Sequence, residues 1–369
     1  MRSRENLRAC RDELKGLAIL WVALFHAKLG LTGILYDVQK LGYGGVDIFF
    51  FLSGFGLYHS LERSSDLRDY LVRRAWRLLP AYLPFCLVWL AVMLPLFRYG
   101  AVDTVRAVAG NLTMDGFWAG VPKTVNWYVG GLALSLMAAP FAHAVLSKAR
   151  RPARALLAMM GLAFFAGLAF VNQNQYMAVS RLPVFLLGMG FAMPGAGERG
   201  SASAGLAPLP SKPSGTAGLA ARRRGRGAIF ACYAAAFAAG LAALLVCFAR
   251  YPEALAAYGM YWHPFVLITP PLCVAIAWGM RKAARFRAAF APLRFLGRAS
   301  FEIFLVNAML ELYAAQTGCL STPEQWAWWS LGSVAVGCLY HAVVAKGVKR
   351  ARKLRKNPNA DNGGGKSAA

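Results

Sequence analysis

The sequence predicts an all-α membrane protein, a polytopic bundle of about ten transmembrane helices with both termini in the cytoplasm. Three observations predict this class: the composition, a series of apolar runs, and a one-sided distribution of basic residues. The chain is 58% hydrophobic and only 15% charged, and its mean hydropathy is +0.44. Soluble domains do not combine these values, so the 369 residues are not two or three soluble domains.

The apolar runs define the helices, because a helix needs about 20 mostly apolar residues to cross the hydrocarbon core. The sixth run is interrupted by Arg181 and Pro183, and the eighth by Pro270 and Pro271. The ten runs are 16–33, 43–60, 79–97, 125–146, 155–171, 177–193, 229–248, 264–279, 299–315 and 326–345.

The basic residues test this division independently, because Lys and Arg accumulate in short cytoplasmic loops. Ten spans place 34 of the 41 Lys and Arg residues on the side of the N-terminus and 7 on the other side. The net charge of +25 therefore indicates orientation in a membrane and not nucleic-acid binding. The expected location is a bacterial-type inner membrane, with several passes.

The domain organisation follows from composition. Residues 1–345 are expected to form a single membrane domain, interrupted by a disordered cytoplasmic linker at about 195–227 that is rich in Gly, Ala, Ser and Pro. Residues 346–369 are expected to form a basic, disordered tail. The seven cysteines are scattered without metal-ligand spacing, so no metal and no disulfide scaffold is expected.

His26 is the histidine that lies well inside a predicted span, where a titratable group usually marks a functional site. Lys15 precedes it by eleven residues, almost three helical turns, so both side chains share one face about 16 Å apart. A cation at the rim and a base deeper in the membrane would suit an elongated anionic ligand such as acyl-coenzyme A. The alternative for His26 is a buried structural histidine, and the alternative for Lys15 is an ordinary cytoplasmic anchor.

Three further residues are candidates for a site. Asp47 follows a pair of glycines in the second run, where it could orient the imidazole of His26 or simply lie near the membrane edge. Arg74 and Arg77 are three residues apart and could together bind a phosphate, although loop arginines are common.

Six segments in this order resemble the integral-membrane acyltransferase-3 family of O-acyltransferases. They are DELKGLAILWVALFHA, GGVDIFFFLSGF, RRAWRLLPAY, NWYVGGLALSLMAAP, RLPVFLLGM and GRASFEIFLVNAML. The resemblance covers about residues 12–310. The most specific parts are the basic-x10-His pattern, the FFFLSGF block and the RxxR pattern.

The resemblance implies ten core helices, a cytoplasmic acyl-CoA donor, most often acetyl-CoA, and a cell-envelope glycan or lipid-linked sugar as acceptor. His26 would be the catalytic residue with Lys15 as its basic companion, and Arg74 and Arg77 would belong to the donor site. The chain departs from the family pattern at Lys15, where arginine is usual, and at Asn307, where histidine is common. It also has Gly130 and Gly131 where many members have an acidic residue.

The leading hypothesis is therefore transfer of an acyl group, most simply acetyl, to a sugar hydroxyl, with His26 as general base assisted by Asp47. A covalent acyl-histidine relay is a variant. The alternatives are a proton-coupled transporter or flippase using His26, Asp47 and Glu311, and a catalytically inactive family relative. The expected partners are the lipid bilayer, the donor and the acceptor, but not nucleic acid. The sequence leaves the acceptor, the acyl chain and the oligomeric state open.

Overall fold

The computed structural model describes residues 2–63, 66–121, 127–169, 173–194, 216–250, 263–286 and 288–356. All regular structure in these ranges is helical, in agreement with the predicted all-α bundle. The helices are α1 (Arg2–Ala9), α2 (Arg11–His26), α3 (Gly33–Lys40), α4 (Gly44–Glu62), α5 (Leu67–Phe97), α6 (Ala101–Thr113), α7 (Trp127–Lys148), α8 (Pro152–Ala169), α9 (Gln173–Val179), α10 (Leu182–Ala192), α11 (Thr216–Arg250), α12 (His263–Lys282), α13 (Ala291–Arg298), α14 (Ser300–Thr317) and α15 (Pro323–Lys356).

Seven helices of the described ranges are long and apolar enough to cross a membrane, which confirms a multi-pass membrane protein. They coincide with the second, third, fourth, fifth, seventh, eighth and tenth predicted spans. The other three predicted spans correspond to α2, to α9 with α10, and to α14. These are shorter, interrupted, or richer in polar residues, and the number ten remains a prediction.

Several boundaries differ from the predicted runs for physical reasons. The first run extends to Gly33, but α2 ends at His26 because Ala27 adopts an extended conformation. Helix α5 begins twelve residues before the third apolar run. Asp66 caps the backbone NH of Arg68, and the basic turns that follow are also helical. The sixth run breaks before α10, where Pro183 occupies the first turn.

The predicted disordered segments are partly helical. Residues 216–227 of the predicted linker belong to α11, and residues 346–356 of the predicted tail belong to α15. Residues 195–215 and 357–369 lie outside the described part of the chain.

Glycines allow the central helices to approach closely. A Cβ atom on Gly54 of α4 would overlap the carbonyl of Phe185 in α10, and one on Gly188 of α10 would overlap the carbonyl of Phe51. Within membranes, such small residues permit the backbone packing that drives helix association. The FFFLSGF block thus forms the contact between α4 and α10 at the centre of the bundle.

Glycines also allow α2 to pack closely against α13. A Cβ atom on Gly16 would overlap the carbonyl of Leu293, and one on Gly297 would overlap the carbonyl of Asp12. Next to this contact, Arg294 donates two hydrogen bonds to Glu13 Oε1, at 2.9 and 2.8 Å. The first turns of α2, which carry Lys15, are therefore fixed in place by both packing and charge.

Candidate active site

A large cavity opens at the end of the bundle where the basic segments meet. Its volume is about 1660 Å³, larger than the few hundred to 1,000 Å³ typical of small-molecule sites. Its walls come from the starts of α2, α5 and α14, the ends of α4 and α15, and α13. These parts adjoin or belong to four of the segments that the charge pattern places in the cytoplasm.

The described lining of the cavity is strongly cationic. It contains eleven Lys or Arg side chains and four carboxylates, Asp12, Glu13, Asp69 and Glu302. Three of these carboxylates pair with lining arginines, namely Arg298, Arg294 and Arg73. The remaining cations are Arg8, Arg11, Lys15, Arg63, Arg74, Arg77, Lys349 and Arg352. Such a surplus of one sign in a concave site concentrates anionic ligands.

The sequence-predicted cations Lys15, Arg74 and Arg77 all line this cavity. Lys15 is 8% exposed and lies within electrostatic reach of Arg11 and Arg77. The Nε atoms of Arg11 and Arg74 are buried without a hydrogen-bond partner among the described residues. These donors are therefore available to hydrogen-bond an anion in the cavity.

The inner part of the cavity is apolar. Phe49 of α4 and Tyr128, Leu132 and Leu136 of α7 line it. The cavity therefore combines a cationic entrance with an apolar interior, which suits a ligand with an anionic head and a less polar arm.

His26 lies at the opposite end of α2, outside the described lining of the cavity. Its Nδ1 contacts Oε2 of Glu311 on α14, and both side chains are partly exposed, at 27% and 24%. When a carboxylate accepts a hydrogen bond from Nδ1–H, the other ring nitrogen, Nε2, is unprotonated and free to act as a base. The pair is thus suited to general base catalysis.

Local contacts fix the turn that carries His26. The buried side chain of Gln39 on α3 donates hydrogen bonds to the carbonyls of Leu24, at 2.8 Å, and of Ala27. These carbonyls lie at the end of α2, where no further helical turn can bind them. The ring of Phe25 packs edge-on against His26, with 5.0 Å between centroids.

Helices α2 and α14 run in the same direction. Lys15 and Ser300 both line the cavity, while His26 and Glu311, each eleven residues further along, contact one another. The two helices therefore connect the cationic cavity to the His26–Glu311 pair over about 16 Å.

Asp47 does not contact His26, contrary to the orienting role predicted for it. Asp47 is fully buried, and its Oδ1 lies 3.4 Å from Nε of Arg181. The guanidinium of Arg181 also lies over the ring of Trp127, 5.3 Å from the centroid. Asp47 is the counter-ion of a buried arginine, and Glu311 occupies the position expected for it beside His26.

The departures from the family pattern have structural explanations. Asn307 is buried, and its amide donates a 2.8 Å hydrogen bond to Ser333 of α15. A Cβ atom on Gly130 would overlap the ring of Phe117, and one on Gly131 would contact Ala178 and Phe50. The two glycines therefore occupy positions where helices and loops pack closely.

A second histidine–carboxylate pair lines the cavity. Nδ1 of His341 on α15 lies 3.2 Å from Oε1 of Glu302 on α14. The sequence offered no signal for this pair, because His341 falls at the end of an apolar run where a hydrated imidazole is unremarkable.

Comparison with protein families gives one finding. Residues 12–344 match the acyltransferase domain of the acyltransferase-3 family, nearly the whole of the described chain. Searches of curated proteins and of solved structures return no match. A match of this extent, together with the helical membrane architecture, shows that the chain belongs to the acyltransferase-3 family and is a membrane transferase of acyl groups.

Proposed function

We propose that the protein transfers an acyl group, most simply acetyl, from cytoplasmic acyl-CoA to a hydroxyl of a cell-envelope glycan or lipid-linked sugar. The observation that carries the proposal is the cavity, whose cationic entrance contains Lys15, Arg74 and Arg77 and whose interior is apolar. Coenzyme A matches these two regions, because it joins a phosphorylated nucleotide to a long and uncharged pantetheine arm.

In this proposal His26 is the general base. Glu311 accepts a hydrogen bond from the Nδ1–H group, and Nε2 removes the proton of the acceptor hydroxyl as its oxygen attacks the thioester carbonyl. The tetrahedral intermediate then collapses, the carbon–sulfur bond breaks, and coenzyme A leaves as the thiolate, which takes up a proton. The His26 imidazolium supplies that proton, so both charges are neutralised at the site and the base is regenerated.

The route between the two parts of the site is the main structural requirement. The donor headgroup would bind at the level of Lys15, and the acyl group would have to reach His26, about 16 Å further along α2. A pantetheine arm has a comparable length, and it would pass between α2 and α14.

The His26→Ala variant of the purified, folded protein tests the catalytic role. We expect acyl transfer to be abolished while coenzyme A binding is retained, because His26 lies outside the described lining of the cavity. Transfer at the wild-type rate would exclude His26 as the base. Mass analysis of envelope polysaccharides and glycolipids with and without the protein would identify the acceptor by the loss of one acyl group.

The two alternatives, a transporter and an inactive family relative, predict different results for the purified protein. Proton-coupled flux without thioester cleavage would indicate a transporter. Absence of turnover in wild type and in Lys15→Arg, under conditions where both bind coenzyme A, would indicate an inactive relative.

A further inference from the structure

Helix α15 is longer than a membrane span requires. Its 34 residues extend about 51 Å, whereas the hydrocarbon core is about 30 Å thick. The last turns therefore project past the membrane on the side where the cationic cavity opens. This projection contains much of the basic segment that the sequence assigns to a disordered tail.

One face of the projection forms a wall of the cavity. The residues that line the cavity recur at intervals of three and four, as one face of a helix does. They are His341, Val344, Ala345, Val348, Lys349, Ala351 and Arg352. Their neighbours Arg350 and Lys353 are also exposed but are not part of the described lining.

The charge arrangement on this wall resembles that of α2. Arg352 lies at the entrance and His341 eleven residues deeper on the same face, as Lys15 and His26 do on α2. In the described part of the chain, Lys349 and Arg352 have no acidic side chain within ion-pair distance. Two cations that face a cavity without counter-ions would bind an anionic ligand in it.

We propose that Lys349 and Arg352 are donor-binding residues, and that the C-terminal extension of α15 contacts phosphate groups of acyl-CoA. This inference rests on the proposed function and extends the donor site beyond Lys15, Arg74 and Arg77. A phosphate could also belong to an anionic lipid headgroup, but a lipid would meet all the exposed cations of the extension and not the inward pair alone.

Matched charge removals distinguish these possibilities. The Lys349→Ala/Arg352→Ala variant removes two inward cations, and Arg350→Ala/Lys353→Ala removes two cations of the same helix outside the described lining. Coenzyme A binding to the full-length protein in a neutral detergent is measured by calorimetry at low and moderate salt. We expect the first variant to raise the dissociation constant about tenfold, with a weaker salt dependence, and the second to change it less than twofold.

Turnover gives the second readout. The inward variant should raise the KM for acyl-CoA and leave kcat unchanged, because the two residues are distant from His26. The exchange variant Lys349→Arg/Arg352→Lys keeps both charges and should bind coenzyme A as wild type does. Thermal unfolding of all variants establishes that each is folded.

The contrary outcomes are distinct. Equal effects of the two variants on the dissociation constant for coenzyme A would overturn the inference in favour of general electrostatics. A loss of affinity that occurs only in vesicles containing anionic lipid would overturn it in favour of lipid binding. Wild-type affinity in the inward variant would also overturn it. If wild type itself binds no coenzyme A, the proposed function fails, whereas normal wild-type transfer with unaffected variants leaves that function intact.

Discussion

At the scale of single residues, the contact between His26 and Glu311 determines what the imidazole can do. The carboxylate selects the tautomer with a free Nε2 and compensates the charge that forms when this nitrogen takes up a proton. In a serine protease triad, replacing the carboxylate that orients the histidine with an amide lowers kcat about 10⁴-fold. The partly exposed position of Glu311 suggests a smaller effect here.

The first prediction concerns Glu311. Glu311→Gln should lower kcat for acyl transfer about 10²-fold or more, because the amide can present its NH₂ to Nδ1 and stabilise the wrong tautomer. Affinity for acyl-CoA should not change. The control is Glu324→Gln, an exposed carboxylate at the start of α15. Unchanged kcat in Glu311→Gln would mean that the contact is structural.

The second prediction concerns Asp47, which the structure assigns to a buried ion pair. Asp47→Asn should lower the free energy of unfolding by about 3–5 kcal/mol, because it leaves the guanidinium of Arg181 buried without its counter-ion. The double variant Asp47→Asn/Arg181→Gln should recover part of this loss. Thermal unfolding in detergent measures both effects.

A different result would restore a catalytic role to Asp47. If Asp47→Asn unfolds at the wild-type temperature but has lost acyl transfer, the carboxylate acts in the reaction and not in the fold.

The residues also show how far the sequence could predict the site. Lys15, Arg74 and Arg77 could be predicted to share a site because each lies in a predicted cytoplasmic segment, just before an apolar run. His26 could be identified from its depth and from its spacing to Lys15. The sequence could not assign its partner, because Asp47 and Glu311 are both titratable groups in apolar runs and only tertiary packing brings Glu311 to Nδ1.

At the scale of elements, the position of α2 depends on its close packing with α13. Gly16 and Gly297 let the two backbones approach until no space remains for a methyl group. The Glu13–Arg294 pair lies on the same interface. The position of Lys15 in the cavity thus depends on a helix almost 280 residues away in the sequence.

The third prediction concerns this interface. Gly297→Ala should lower the free energy of unfolding by more than about 2 kcal/mol and weaken coenzyme A binding, because the added methyl group forces α2 and α13 apart. Gly161→Ala in α8 is the matched control, since no described atom lies within 4 Å of its added Cβ. That control should be neutral or slightly stabilising. Equal stabilities of the two variants would contradict the predicted clash.

Helix boundaries show what the apolar pattern could and could not predict. The pattern located α4, α7 and α8 to within a few residues, because their ends coincide with the ends of apolar runs. It missed the first three turns of α5 and the last three of α15, because basic and amphipathic residues continue a helix outside the membrane without adding to its hydropathy. These turns carry Arg74, Arg77, Lys349 and Arg352, which are four of the cations that line the cavity.

At the scale of the whole molecule, the cavity gathers cations from segments that are far apart in sequence. The N-terminal segment, the loop after α4, the segment around α13 and the end of α15 all contribute to one surface. The one-sided charge that predicts orientation therefore also lines, in part, the cavity that we propose as the donor site.

The fourth prediction tests the orientation. Cys319, an exposed residue between α14 and α15, is expected on the outer side, and Ser147 at the end of α7 on the cytoplasmic side. In a variant whose other cysteines are replaced, a membrane-impermeant maleimide should label Cys319 in sealed spheroplasts. In a Ser147→Cys variant that also lacks Cys319, labelling should occur only after the membrane is permeabilised. The reverse pattern would invert the predicted topology.

The separation of the cationic cavity from His26 has an electrical consequence. A unit charge that crosses a membrane at 100 mV changes in energy by about 2.3 kcal/mol. The phosphates of the donor would stay at the level of Lys15, so only an uncharged acyl group would travel along α2 towards His26. Turnover should therefore be independent of the membrane potential, and collapsing the potential with an ionophore should leave the rate of acyl transfer unchanged.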